Sequence, residues 1–260
     1  MIPWRSRQQF KYFFLVSTLL LIAGVAGLFF YANTPGSCSD GTQNNGELGV
    51  DCGGSCARLC PFQVSDVVSY WARAFPVREG VADAVALLSN PNFNAGARKL
   101  SYSFKLYDAN NVLSGERAGT TFINPGERFV VYESGIRVGS GTEAPQRAFF
   151  DFRAKDIPWE TAVAAAESEL LARDTRFEPA REGGAPKVVT TLVNRALVDA
   201  DGIEVVALLY GAEENVIDAS KTTVSSLAAG EAKTITLLLS PGFSGTPARI
   251  DIFPRRNMFD

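Results

Sequence analysis

Between Tyr12 and Tyr31 the chain runs twenty residues, YFFLVSTLLLIAGVAGLFFY, without a charged side chain. A helix of that length spans about 30 Å, the hydrocarbon thickness of a bilayer. In lipid it satisfies its own backbone hydrogen bonds, so the run can cross alone. Tyr12, Tyr31 and Trp4 are amphipathic rings suited to the two interfaces. Arg5, Arg7 and Lys11 precede the run. No Lys or Arg follows until Arg58, while Asp40, Glu47 and Asp51 do. The positive-inside rule therefore predicts a cytoplasmic N-terminus and residues 32–260 outside, in contact with membrane lipid only through the helix. The rival is a cleaved signal peptide. Its apolar region is usually shorter, and Phe30-Tyr31-Ala32 puts a large ring where a small residue is needed. Pro35-Gly36-Ser37 ahead of Cys38 is a poor lipobox.

The roughly 230 residues beyond the run suffice for one large or two ordinary domains. A net charge of −3 with scattered basic residues gives no reason to expect nucleic acid as a partner. The chain has no histidine. That removes Ser-His-Asp and Cys-His nucleophile systems and imidazole metal sites. No carboxylate pair, catalytic residue or cofactor motif can be picked out. A non-enzymatic protein without a cofactor is expected.

Cys38, Cys52, Cys56 and Cys60 are the only cysteines, spaced C-x13-C-x3-C-x3-C. An even number outside the membrane reads as two disulfides, with three possible pairings. The segment is too polar to bury a core, so crosslinks are what would order it. Four thiolates could instead hold zinc, though the spacing lacks paired CxxC knuckles. Asp40, Asn44, Glu47 and Asp51 could add oxygen ligands for calcium, or simply form turns. The segment from Cys38 to Cys60 resembles a DG-x-x-N-x-GE…DCGG-x-C repeat of secreted and surface proteins. That resemblance brings no activity with it.

The remainder repeats itself. Laid over residues 168–253, residues 67–153 match in order and spacing. Arg78-Glu79-Gly80 meets Arg181-Glu182-Gly183, Asn90 meets Asn194, and Tyr107 meets Tyr210. Pro125-Gly126-Glu127 meets Ala229-Gly230-Glu231, and Asp151 meets Asp251. Two copies of about ninety residues point to tandem domains rather than a solenoid. Leu100–Leu106 alternates large apolar with small or polar residues, the pattern of a half-buried strand. Ala148, Phe150 and Phe152 share a face, as do Ile203, Val205, Ala207 and Leu209, then Ile235, Leu237 and Leu239. Asn110-Asn111, Pro125-Gly126 and Ala229-Gly230 separate such runs as turns. Each copy is expected to be an immunoglobulin-like antiparallel sandwich of roughly seven strands. Trp159–Arg173 has helical propensity, so a short helix or linker is expected near 158–167 and a strand near 169–177.

Phe104-Lys105-Leu106-Tyr107-Asp108 spells F-x-L-Y-D, and Ser89-Asn90-Pro91-Asn92 precedes it. These residues resemble the FxLYD domain, an extracytoplasmic β-sandwich module. The second copy keeps Tyr210 but has lost the Phe and Asp. The whole layout is similar to single-pass surface proteins of small-genome candidate-phylum bacteria. The resemblance implies fold and location, and no established activity. Phe104 and Leu106 are expected in a core, Tyr107 at a sheet edge or corner, and Asp108 in the turn to Asn111. Trp71 and Trp159 are expected to pack at sandwich ends or between domains.

The expected organisation is all-β after the helix. It comprises a cytoplasmic segment 1–11, a transmembrane helix 12–31, and a Cys-rich neck 32–61. A first sandwich 62–155, a linker 156–167 and a second sandwich 168–260 follow. The function expected is a membrane-anchored binding or scaffold protein that recognises an envelope or extracellular protein or glycan. The alternatives are a cell-wall enzyme accessory, or a structural subunit of an envelope assembly joined through its helix. For that last reading Ala23, Gly24, Ala26 and Gly27 give only a loose small-residue face.

Overall fold

The computed structural model describes residues 4–32, 36–139, 144–153, 157–162, 169–181 and 184–260. It divides into two compact units, Met1–Cys56 and Ala57–Asp260.

In the first unit, helix α1 (Trp4–Ala32) contains the charge-free run. Its stretch Gln9–Phe30 is long and apolar enough to cross a membrane. Apolar residues lie all round it and are exposed, as a lipid-facing helix requires and a surface helix of a globular protein does not. The cysteine segment after it is a chain of turns. Asn45, Gly46, Asp51, Gly53 and Gly54 all have positive φ. At Gly54 a Cβ would stand 1.9 Å from the carbonyl oxygen of Gly46, so the crossing of these turns excludes any side chain there.

In the second unit, the first sandwich contains β1 (Val68–Arg78), β2 (Val81–Ser89), β3 (Ala95–Tyr107), β4 (Leu113–Ile123), β5 (Arg128–Arg137), β6 (Arg147–Phe152) and the short β7 (Glu160–Thr161). The second contains β8 (Leu170–Glu178), β9 (Lys187–Asn194), β10 (Ala200–Tyr210), β11 (Val216–Leu227), β12 (Ala232–Leu238) and β13 (Arg249–Arg255). Their sheets have the same topology. β1-β2-β5 faces β4-β3-β6 in the first, and β12-β9-β8 faces β11-β10-β13 in the second, all antiparallel. The repeat seen in the amino acids is therefore a repeat of fold. Among the described residues the first sandwich has seven strands, counting the short β7 that pairs with the start of β3, and the second has six, close to the number expected.

The alternating residues point as expected. Leu100, Tyr102, Phe104 and Leu106 enter the first core, and Ile203, Val205, Ala207 and Leu209 the second. Two strands, however, are buried on both faces. In β2, Ala82, Ala84, Ala86 and Leu88 face the first core, while Val85 and Leu87 face away from it. In β10, Val206, Leu208 and Tyr210 likewise leave the second core. These outward rows meet, joined by Val130, Tyr132, Val216 and Ala219, with Trp71, Phe75 and Phe253 at the margin. The two sandwiches thus stack face to face into four sheet layers with three apolar interlayers. Such strands read as near-continuous apolar runs, as VADAVALL and IEVVALLY do. On the first copy's outer sheet the matching face carries polar residues at two of these positions. Ser103 and Lys105 occupy the first copy's positions matching Val206 and Leu208, by their pairing with Asp151 and Phe149 where the second copy pairs Phe253 and Asp251.

The stretch expected as helix or linker behaves differently where it is described. Trp159 is buried in the first core, and Glu160–Thr161 pair with Gly96 and Ala95. The first sandwich therefore extends beyond residue 155, because burying an indole outweighs local helical preference. Leu59, Val64 and Val67 also pack on that core, so the sandwich begins before residue 62. Residues 163–168 lie outside the described residues. The strand expected near 169–177 is β8.

Candidate functional site

All four cysteines are disulfide-bonded, which replaces the zinc reading. Cys38 pairs with Cys56. Glu47 Oε1 lies 3.3 Å from Cys56 Sγ. A disulfide sulfur has no proton to donate and is no thiolate ligand, so Cys38, Glu47 and Cys56 are close without forming a metal-binding set.

The four calcium candidates do gather in this loop, Asp40, Glu47 and Asp51 as acceptors and Asn44 as a side-chain donor to Asp40 and Thr42. Asp40 accepts the amides of Ser37 and Thr42, the Thr42 hydroxyl, and the Asn44 side-chain amide. Asp51 accepts the Gly41 amide at both oxygens. Buried Glu47 accepts the amides of Asn44 and Asp51 through Oε2. The Asn44 side chain beside Asp40, and then Thr42, hold the Asp40 carboxyl well below the usual range. The three carboxylates at this spacing serve to satisfy the N–H groups that tight turns leave unpaired.

The F-x-L-Y-D residues have structural roles. Phe104 and Leu106 are fully buried. Tyr107 meets Phe149 edge to face at 5.4 Å on the outer side of the sheet. Asp108, itself buried, accepts the amides of Asn110 and Val112 at 2.9 and 2.8 Å. Asn111 completes the turn at φ 60°.

The matched asparagines hold equivalent junctions. Asn90 donates its amide to the carbonyls of Ala95 and Asn124. Asn194 donates to those of Val198, Leu227 and Ala228. Each ties the loop after its strand to the turn two strands later in the same copy, and there the matched glutamates close the turn: Glu127 accepts the Asn124 amide and Glu231 the Ala228 amide. Of the repeated Arg-Glu-Gly triplets, Gly80 turns β1 into β2 at φ 69°. Glu182 and Gly183 lie outside the described residues.

The distinctive chemistry sits where the sandwiches join. Arg255, at the end of β13, projects into the first sandwich. Its guanidinium lies 3.9 Å from the Phe122 ring centroid and 4.5 Å from that of Phe129. It donates to the Phe122 carbonyl at 2.6 Å and to Glu127 at 3.2 Å. Burial pushes the Glu127 carboxyl up, against the pull of Arg255 and of its hydrogen bonds with Asn124. Elsewhere in the interface, Asp83 accepts from Tyr132 at 2.5 Å and from the Gly135 amide at 2.8 Å. Burial first, and then Asp83, push the Tyr132 hydroxyl up.

Beside Arg255 opens a cleft of about 830 Å³. It is walled by the β4–β5 turn with Phe93 on one side, and by the edges of β8 and β13 on the other. Glu169 and Arg256 pair across 3.0 Å on its border. Neither Asp83 nor Asp218 lines it. None of Arg255, Glu127, Asp83 and Tyr132 stands out in the amino-acid sequence. The only available signal was an Arg closing an apolar strand, RIDIFPR, where a strand end would ordinarily reach water.

No family model and no curated protein matches the chain. Among solved structures, the yeast delta-COP-I mu-homology domain complexed with a Dsl1 WxWxV peptide is similar at 11% identity and TM-score 0.23, over 71% of this chain and 81% of that one. Red sea bream transglutaminase is similar at 16% identity and TM-score 0.21, over 74% of this chain and 29% of that one. Likeness at this level assigns neither activity nor partner.

Proposed function

We propose that this chain is a membrane-anchored, extracytoplasmic, non-catalytic protein whose stacked β-sandwiches serve as a binding or scaffold body. The observation that carries the reading is the succession of a lipid-suited helix and a segment in which every cysteine is oxidised. Disulfides persist where the environment is oxidising, so the side of the membrane that follows the helix is the outer one. The Arg and Lys residues ahead of the charge-free run support the same orientation. An FxLYD-type assignment of the first sandwich fits this location.

Three of the buried or half-buried carboxylates are engaged in holding the fold. Glu127 is paired to Arg255, Asp83 to Tyr132 and Asp108 to its own turn. Sandwiches of this kind bind through loops or through a free strand edge, and the cleft beside β8 and β13 offers both. The partner class is an envelope or extracellular protein or glycan.

The test uses the full chain in lipid vesicles. A membrane-impermeant protease should reach residues 57–260 in right-side-out vesicles and spare them in inverted ones. The detergent-solubilised chain is then used to retain envelope components. Protection in the opposite orientation would sink the membrane reading, and a chain that retains no protein or glycan would be a spacer rather than a binder.

A further inference from the structure

From Arg255 to Asp260 the chain leaves the end of β13 and lies along the first sandwich, which supplies most of the groups that receive it, while the Arg256 side chain pairs back to Glu169 of the second. Arg255 enters a slot made by Phe122, Phe129, Glu127 and Thr121. One residue on, the Asn124 side-chain amide grips the backbone at two points. It donates to the Arg256 carbonyl at 2.9 Å and accepts the Met258 amide at 3.2 Å. Asn257 reaches back to the Arg98 carbonyl at 3.3 Å. At the far end the Phe259 ring lies 5.3 Å from the Arg98 guanidinium, which also donates to the Phe259 carbonyl. The ring can come so close because position 96 is glycine. A Cβ there would meet ring carbons of Phe259 at 2.8 and 3.0 Å.

This is how a peptide ligand is held: a buried arginine anchor, a two-point backbone clamp, and an aromatic site four residues from the anchor. The clamp is not a by-product of the turn that carries it. Asn124 occupies the place that Ala228 has in the second copy, where the equivalent turn forms through the same glutamate-to-amide hydrogen bond without any amide side chain. The Asn124 backbone is fixed on both sides, its carbonyl by Asn90 and its N–H by Glu127. Its side chain is therefore already aimed, and little conformational freedom is lost on gripping a segment.

We propose that the first sandwich carries a peptide-binding groove for segments of the form Arg-x-x-x-aromatic that turn just before the aromatic residue, and that in this chain the groove is occupied by its own residues 255–260 acting as a displaceable strap. This does not depend on the membrane orientation or on any partner named above.

The test compares the full chain with one ended after Pro254, both in detergent micelles, using a fluorescent, end-capped peptide spanning residues 255–260. The shortened chain should bind the peptide saturably. The full chain should bind it about tenfold or more weakly, because the strap competes at high effective concentration. Asn124→Leu in the shortened chain should also weaken binding about tenfold, the loss expected for one good clamp. A shortened chain that keeps its melting transition yet binds no peptide overturns the groove. Equal binding by the full chain overturns the strap, and indifference to Asn124→Leu overturns the clamp. Should the shortened chain fail to fold, Asn124→Leu in the full chain decides. The Met258 amide should then exchange about tenfold faster while β12 amides are unchanged, and an unchanged Met258 amide refutes the proposal.

Discussion

Arg255 of the last strand lies 3.2 Å from Glu127 of the first sandwich's β4–β5 turn, with its side chain only 2% exposed. This contact crosses between the two repeats and is sealed by the rings of Phe122 and Phe129. A buried charge can be held only if paired, and removing one partner strands the other.

Arg255→Ala should therefore cost about 3–5 kcal/mol in chemical denaturation, the range for breaking a buried pair. The double variant with Glu127→Gln should cost less than the sum of the singles, since no charge is then left stranded. Strict additivity would show that the pair is not coupled.

Leu208 tests the stacking of the sandwiches. It is fully buried, yet it faces away from its own core. Leu208→Ala should destabilise by about 2–5 kcal/mol, like a core truncation, and shift Trp71 emission to the red. A cost below about 0.5 kcal/mol, the level of an exposed substitution, would mean that the interface is not formed in solution.

Asp218 carries a pH dependence. Burial raises its carboxyl from 3.8 to about 6, Asp83 adds a smaller push, and one of its oxygens has no partner. The native state thus binds the proton more tightly than the unfolded chain. The resulting stability is fully present below the unfolded pKa and is lost as pH rises through about 6. At pH 7.5 the buried charge costs on the order of 2–3 kcal/mol. Asp218→Asn should raise the melting temperature at pH 7.5 and flatten its change between pH 4 and 7. An unchanged pH profile would remove Asp218 from the account.

Asn90→Ala and Asn194→Ala should behave alike, because each amide satisfies carbonyls at the same junction of its own copy. A loss of about 2–4 kcal/mol is expected from each, as buried carbonyls lose their donors. A large cost in one copy and none in the other would break the equivalence.

The cysteine loop can be tested without touching the sandwiches. Cys38→Ser with Cys56→Ser should speed exchange of the amides of Leu48 and Gly49, both donated to the Cys52 carbonyl, while β2 and β10 amides keep their protection. Slow exchange at Leu48 and Gly49 in that variant would show that the turns order themselves without the crosslink.

Much of this was legible in the residues. Alternation placed Phe104, Leu106, Ile203 and Val205 in cores, because a strand's side chains alternate whatever it packs against. The repeat spacing aligned Asn90 with Asn194 and Glu127 with Glu231, and the structure gives each pair one task. Asp108 was readable as a turn former because its hydrogen bonds are local. Trp159 was placed in a linker although it is core. A residue's own neighbours in sequence do not report which distant sheet will cover it.

By itself, the sequence determined whatever depends on local periodicity and composition: an apolar helix of membrane length, strand faces and a duplicated β unit. Only the tertiary structure decided that the second faces of β2 and β10 bury each other. It also decided which two cysteines pair as Cys38–Cys56, and that Arg255 inserts between Phe122 and Phe129 with the residues after it strapped across Asn124. The cysteine pairing is chosen among equally available local partners, and the other outcomes depend on shape and charge brought together from positions more than a hundred residues apart, as with Arg255 and Phe122, where a pattern along the chain carries no record of distance in space.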